Sequence, residues 1–173
     1  TRPDIAKRIR DDYILVKGLA ISCGAGPQGG IADDYDYVHV DEIVYSGQTA
    51  YAEAGIKNPR KEVDIAEIHD CFTITEVLIC EDLGFTSRGR YKEDIEAGIF
   101  DLGGEIAVNA DGGLKCFGHP VGATGLRMIF ESYLQLQGKA GPRQLENPKV
   151  GLAHNFGGVP GGGVSGVAIV GCR

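Results

Sequence analysis

Gly112-Gly113-Leu114-Lys115-Cys116-Phe117-Gly118-His119-Pro120-Val121-Gly122-Ala123-Thr124-Gly125 is the stretch around which this chain is organised. Five glycines and a proline surround one histidine, and an apolar, helix-compatible run over 126–136 follows at once. Glycines allow close backbone approach or a positive φ. Pro120 fits the first turn of a helix, where its missing N–H costs nothing. The pattern predicts His119 just ahead of a helix N-terminus, with backbone donors and the positive end of a helix dipole beside it. An imidazole there is placed to meet an anion. The same residues also fit a glycine-rich turn with an incidental surface histidine.

Reading outward, Ile106-Ala107-Val108 leads into the stretch, and the helix after it is expected to run to about Gln137 and stop at Gly138. Residues 63–68 alternate as a strand does and run into His69-Asp70-Cys71-Phe72-Thr73, after which a helix reaches Leu83 and closes at Gly84. Residues 88–101 form a charged excursion with a short helix. Val150-Gly151-Leu152-Ala153 and residues 164–170 read as closing strands, the first ending in His154-Asn155-Phe156-Gly157-Gly158. Toward the start, Tyr13-Ile14-Leu15-Val16 and Leu19-Ala20-Ile21-Ser22 read as one strand broken near Gly18. Residues 46–54 suit a helix capped by Ser46 and stopped by Gly55, and residues 5–10 suit a helix tail with Asp4 as N-cap. Residues 24–37 form a glycine-rich loop whose cluster Asp33-Asp34-Tyr35-Asp36 fits a solvated loop, with a bound cation as the alternative. Strands alternating with helices predict one α/β layered domain. Chemistry in such folds gathers at strand-to-helix loops, and here three of them, 69–73, 112–120 and 154–163, carry histidine.

Composition narrows the function. The chain has 173 residues, 43% hydrophobic and 24% charged, enough for one domain with a proper core. A net charge of −7 argues against nucleic acid as the main partner. No apolar run is long enough to span a bilayer. Thr1-Arg2-Pro3-Asp4 is no signal peptide and lacks an initiator methionine, which reads as a fragment or a processed chain. Cys23, Cys71, Cys80, Cys116 and Cys172 have neither paired nor zinc-type spacing, so free thiols in a reducing cytosol are expected, most of them buried. The 27 glycines concentrate around 24–30, 103–125 and 157–171, which points to close packing and working loops.

Taken together, residues 112–125 resemble the Gly-His-Pro loop of the thiolase superfamily, and His69-Asp70-Cys71-Phe72 resembles the His-Asp-Cys-Phe loop of its sterol-carrier-protein and archaeal types. The likeness covers nearly the whole chain, as the C-terminal half of a thiolase. It implies a thiolase-like layered α/β fold, a mixed five-stranded sheet with helices on both faces. Residues 1–10 would close the N-terminal thiolase domain and residues 11–173 would form the C-terminal one. The implied activity is acyl transfer on coenzyme A: thiolysis of a 3-oxoacyl-CoA, or the reverse Claisen condensation.

By the same resemblance, His119 activates the nucleophilic cysteine and helps hold the enolate oxygen, while His69 supports that hole. The amide of Gly157 serves a second oxyanion hole, and Cys71 moves the proton. Asn155 stands where many thiolases place an acid/base cysteine. It joins Phe72 and Gly118 as expected substrate contacts. Such a site answers the chemistry, since a thioester enolate needs stabilised charge at its oxygen and a base at its α-carbon. Cys116 is not expected to be catalytic, and Cys23, Cys80 and Cys172 are read as structural. Lys115 and Arg127 are weighed as coenzyme A contacts against a solvated surface role.

The resemblance implies no covalently bound cofactor and no metal, with the coenzyme A thioester as substrate. Its implied partners are the N-terminal half carrying the nucleophile, a second copy in a homodimer or tetramer, and, in the archaeal type, an OB-fold and zinc-ribbon accessory protein. A cytoplasmic location goes with it. Two alternatives stand beside it: a thiolase-like aldolase acting on a β-hydroxyacyl-CoA, and a non-catalytic structural or lipid-binding homologue. The glycine-rich tail at 159–163 is longer than the family ending and is read as a wider turn near the substrate.

Overall fold

The apolar, partly β-branched runs near both ends of the chain become strands of a single sheet. This is seen in a computed structural model, which describes residues 1–26 and 35–172. In chain order the elements are helix α1 (Pro3–Ala6), strand β1 (Leu15–Cys23), helices α2 (Asp41–Ala54) and α3 (Pro59–Glu62), strand β2 (Ile65–Glu67) and helices α4 (Thr73–Asp82) and α5 (Tyr91–Glu96). Strand β3 (Ala107–Val108), helices α6 (Gly113–Phe117) and α7 (Thr124–Leu136) and strands β4 (Val150–Gly157) and β5 (Val164–Gly171) complete it. The sheet order is β1-β5-β4-β2-β3. β2 pairs in parallel with β3 and β4, whereas β5 is antiparallel to both β4 and β1. The fold is therefore α/β with a mixed five-stranded sheet.

Side-chain alternation divides β4 between two layers. Leu152 joins Ala66, Ile68, Val167 and Ile169 in a core closed by Ile43 and Ala50 of α2 and by Ile79 and Cys80 of α4. The other face takes α7: a Cβ on Gly151 would lie 2.8 Å from the Cβ of Ser132, and the Asn155 amide meets the Met128 sulfur at 3.3 Å. Helices thus cover both faces. Each fully buried Ile or Leu in these layers contributes about 1.5–3 kcal/mol.

Several local expectations are corrected by packing. α2 begins at Asp41, not at Ser46; Ser46 lies inside the helix, bonded to Ile43 O at 3.1 Å and to Ser165 Oγ at 2.7 Å. β1 is continuous, and its irregularity at Gly18 is a register shift against β5. Gly18 is required there because a Cβ would sit 2.3 Å from the carbonyl oxygen of Ala50 in α2. Asp4 lies within α1 and pairs with Arg2 instead of capping. Residues 113–117 are helical inside the stretch read as loop, and α7 starts only at Thr124, so Pro120 opens the preceding turn and is not in the first helical turn. Three of the five thiols, Cys23, Cys71 and Cys116, are exposed, against the expectation that most are buried. Asp33 and Asp34 lie outside the described residues, where the cation reading of the acidic cluster cannot be followed. No helix among the described residues is long and apolar enough to cross a membrane.

Candidate active site

Parallel pairing brings the C-terminal ends of β2, β3 and β4 to one edge of the sheet, and the expected site residues gather there. His69 follows β2, the stretch with His119 follows β3, and Asn155, Phe156 and Gly157 finish β4. Two side-chain bonds fix the loops to one another. Asn109 Oδ1, at the end of β3, accepts the Ile68 N–H at 2.8 Å, and Asp70 Oδ1 accepts the Leu114 N–H at 2.9 Å. The second bond requires Gly113, whose φ is +60° and whose Cβ would lie 2.3 Å from Asp70 Oδ2.

His69 and His119 meet edge to face, their ring centroids 4.9 Å apart. His69 is only 5% exposed. Burial holds its pKa below the ordinary value, the charge of His119 adds to this, and the Asn155 side chain works against it. His119 is exposed, and its Nδ1 lies 2.7 Å from Thr124 Oγ1. With that hydroxyl donating to the Pro120 carbonyl at 3.2 Å and accepting from Nδ1–H of His119, both contacts are satisfied. The Nε2 of a neutral His119 then carries the lone pair, as a general base needs. Once Nε2 accepts a proton, the same atom becomes a charged donor for an oxyanion.

A cavity of about 440 Å³ joins His69, Cys71, Phe72, His119 and Gly157, with Val40, Ile43 and Pro160 among its other walls. Cys71 is exposed and precedes α4, where its thiol faces Thr75 Oγ1 at 3.6 Å. A second, more open groove of about 510 Å³ lies across His119, Val121, Phe156 and Gly157. It is lined further by Ile21, Leu126, Asn155 and Val164. Of the expected residues, Gly118 lines neither; it makes the turn out of α6, donating its N–H to Leu114 O at 2.8 Å.

His154 lies within β4, fully buried, and not in a loop after it. Its Nε2 meets Ser165 Oγ at 3.1 Å, and Ser165 meets Ser46. Burial, reinforced by His69, lowers its pKa to about 3, so it stays neutral. The glycine-rich 158–163 segment is the β4–β5 turn. Gly24 and Gly26 bond to Gly163 O and Gly161 O, and the buried Glu42 accepts the Gly163 N–H at 3.1 Å. Pro160 and Gly158 of this turn close one side of the Cys71 cavity, as a wider turn near the site should.

Arg127 is neither at the solvated surface nor in the cavities; it is paired with Glu67 and Asp111. Sequence reasoning missed Thr124, Asp70 and Glu42, whose only signal was a polar side chain at a helix start or beside a histidine. No group of His, Cys, Asp or Glu among the described residues is arranged to hold a metal ion.

A mixed sheet of this order, layered between helices and with histidines converging at its strand ends, defines a thiolase-like domain. The profile of the family described as thiolase C-terminal domain-like matches residues 27–169, and the chain belongs to that family. It is 38% identical over 158 residues to an acetyl-CoA acetyltransferase of Methanothermobacter thermautotrophicus, covering 91% of this chain and 40% of the relative. Sterol carrier protein 2 of Oryctolagus cuniculus is 38% identical over 112 residues, covering 65% of this chain and 20% of the relative. Among solved structures, the Ltp2-ChsH2(DUF35) aldolase superposes with a TM-score of 0.75 at 25% identity, covering 92% of this chain and 40% of that one. The chain thus spans at most two fifths of these proteins.

Proposed function

We propose that the chain is the C-terminal domain of a coenzyme A-dependent acyltransferase that cleaves a 3-oxoacyl-CoA by thiolysis or forms one by Claisen condensation. The observation that carries this reading is the single cavity shared by His69, Cys71, His119 and Gly157, with the two imidazoles in ring contact. Residues 11–173 make up this domain, and residues 1–10 are the tail of an N-terminal half that brings the nucleophilic cysteine. The apolar groove beside His119 suits that half, since Ile21 and Leu126 stand 73% and 71% exposed along it.

In this reading His119 Nε2 takes the thiol proton of the incoming cysteine, whose sulfur attacks the keto carbonyl carbon. The resulting tetrahedral oxyanion is received by the Gly157 amide. The carbon–carbon bond breaks toward the thioester, leaving an enolate whose oxygen is held by the charged His119 and neutral His69. Cys71 gives its proton to the enolate carbon, and acetyl-CoA departs. The Cys71 thiolate then takes the proton of incoming coenzyme A, whose sulfur attacks the acylated cysteine; the shortened acyl-CoA is released as the cysteine sulfur leaves and takes its proton back from His119. Phe72 and Asn155 border the acyl group, Gly118 sets the turn that presents His119, and no bound cofactor is called for. A second copy and an accessory protein complete the expected assembly.

A second reading is favoured by the 0.75 superposition on the aldolase complex: cleavage of a β-hydroxyacyl-CoA with a partner protein. The Cys71 thiol separates the two. In the intact protein, Cys71→Ala should lower thiolysis by about 10²–10⁴-fold while a burst of cysteine acylation from acyl-CoA survives. An unchanged thiolysis rate removes Cys71 from the mechanism. Retro-aldol cleavage without thiolysis supports the second reading.

A further inference from the structure

α7 carries one cation, Arg127, and its guanidinium reaches three other parts of the site. Nη1 bonds to Asp111 and to Glu67 Oε2, the latter at 3.2 Å. The guanidinium carbon lies 5.1 Å from the centre of the Phe117 ring, in cation–π contact. Glu67 ends β2 two residues before His69; Asp111 lies just ahead of α6 and Phe117 ends it, two residues before His119. Thr124, which holds His119, lies one turn earlier on α7.

Both carboxylates are buried, at 0% and 3% side-chain exposure. Burial raises the pKa of Glu67, against the pull of Arg127. Arg127 Nε and Nη2 are buried with no hydrogen-bond partner. Apolar side chains in place of Arg127, Glu67 and Asp111 together would fill this space without orphan groups, so the arrangement is not explained by stability. It is explained by what the guanidinium holds in place.

We propose that Arg127 is a positioning residue that sets the His69–His119 ring contact, clamping the end of β2 and the exit of α6 onto α7. The proposal deepens the acyltransferase reading and, for its effect on turnover, rests on it. A guanidinium that bonds both carboxyls through Nη1 while its carbon lies over the Phe117 ring spreads its charge over two places, which the compact point charge of an ammonium does not do.

The test uses histidine-labelled intact protein, comparing Arg127→Lys and Phe117→Leu with wild type. Ring-proton contacts between His69 and His119 are read by nuclear magnetic resonance, and thiolysis of a 3-oxoacyl-CoA is read as kcat and KM. Arg127→Lys is expected to fold, to weaken the ring contact, and to lower kcat about 10–100-fold with KM little changed, since a misplacement near 1 Å costs on that order. Phe117→Leu keeps both carboxyl contacts of Arg127 and should move the same readouts in the same direction by less. Folded variants with an unmoved ring contact overturn the proposal, whatever happens to kcat. If Arg127→Lys fails to fold, Phe117→Leu decides alone. If wild type shows no thiolysis, the reaction reading fails, and the ring contact still decides the positioning role.

Discussion

Replacing Gly113 by alanine tests how the two halves of the site are held together. At φ +60° an L-residue costs about 1–2 kcal/mol. The new Cβ would also lie 2.3 Å from Asp70 Oδ2 and 2.8 Å from its Cγ, roughly 1 Å inside ordinary contact. Asp70 has to retreat, which breaks its bond to the Leu114 N–H, a charge-assisted bond of about 1.5–3 kcal/mol. The sum, about 3–4 kcal/mol, corresponds to a melting temperature lower by on the order of 10 °C for a chain of this size. Asp70 sits between His69 and Cys71, so the same retreat moves both, and kcat in the intact protein should fall about 100-fold. Calorimetry and thiolysis kinetics read the two effects. A Gly113→Ala protein that melts with wild type and turns over at the wild-type rate refutes the bridge between the loops.

Thr124→Val removes the acceptor of His119 Nδ1–H; nitrogen chemical shifts should show a mixture of tautomers, and activity should fall about tenfold. Two groups set the pH profile; their effects cancel between pH 4.5 and 6.5, so stability should be flat there and fall on either side. Folded Glu67 keeps its proton to about 8 while the unfolded chain loses it near 4.5, so its contribution falls as pH rises through that window, by up to about 1.4 kcal/mol per unit. Folded His154 stays neutral to about 3 while the unfolded chain protonates near 6.5, so its contribution falls as pH drops below 6.5. Denaturant titrations over this range check both limbs, and Glu67→Gln should flatten only the alkaline one.

Much of the fold was legible because punctuation and periodicity are local. Gly55, Gly84 and Gly138, one or two residues past the ends of α2, α4 and α7, all have positive φ. Ser46 misled because its hydroxyl serves Ser165 on another element, a partner that local sequence cannot show. His154 was grouped with the loop histidines because nothing in 150–158 tells where a strand stops; pairing with β5 carries β4 on to Gly157. The histidines at 69 and 119 stood out through their glycine and acidic neighbours. Arg127 was weighed only as a coenzyme A contact or a surface residue, because its partner Glu67 is 60 residues away in sequence.

Within this sheet β1 comes first in the sequence and β5, its sheet neighbour among the described residues, comes last, with Leu19 opposite Ala168. The whole segment between them must therefore emerge before that edge of the sheet can form, and the wait is of the kind that makes folding slow. Until then the backbone of β1 has no strand beside it and α2 lacks the surface formed jointly by β1 and β5. A nascent chain halted within the β4–β5 turn would leave that strand edge open and the inner face of α2 bare, while β2, β3 and β4 could already pair. The hazard for aggregation thus lies at β1, and its relief at β5.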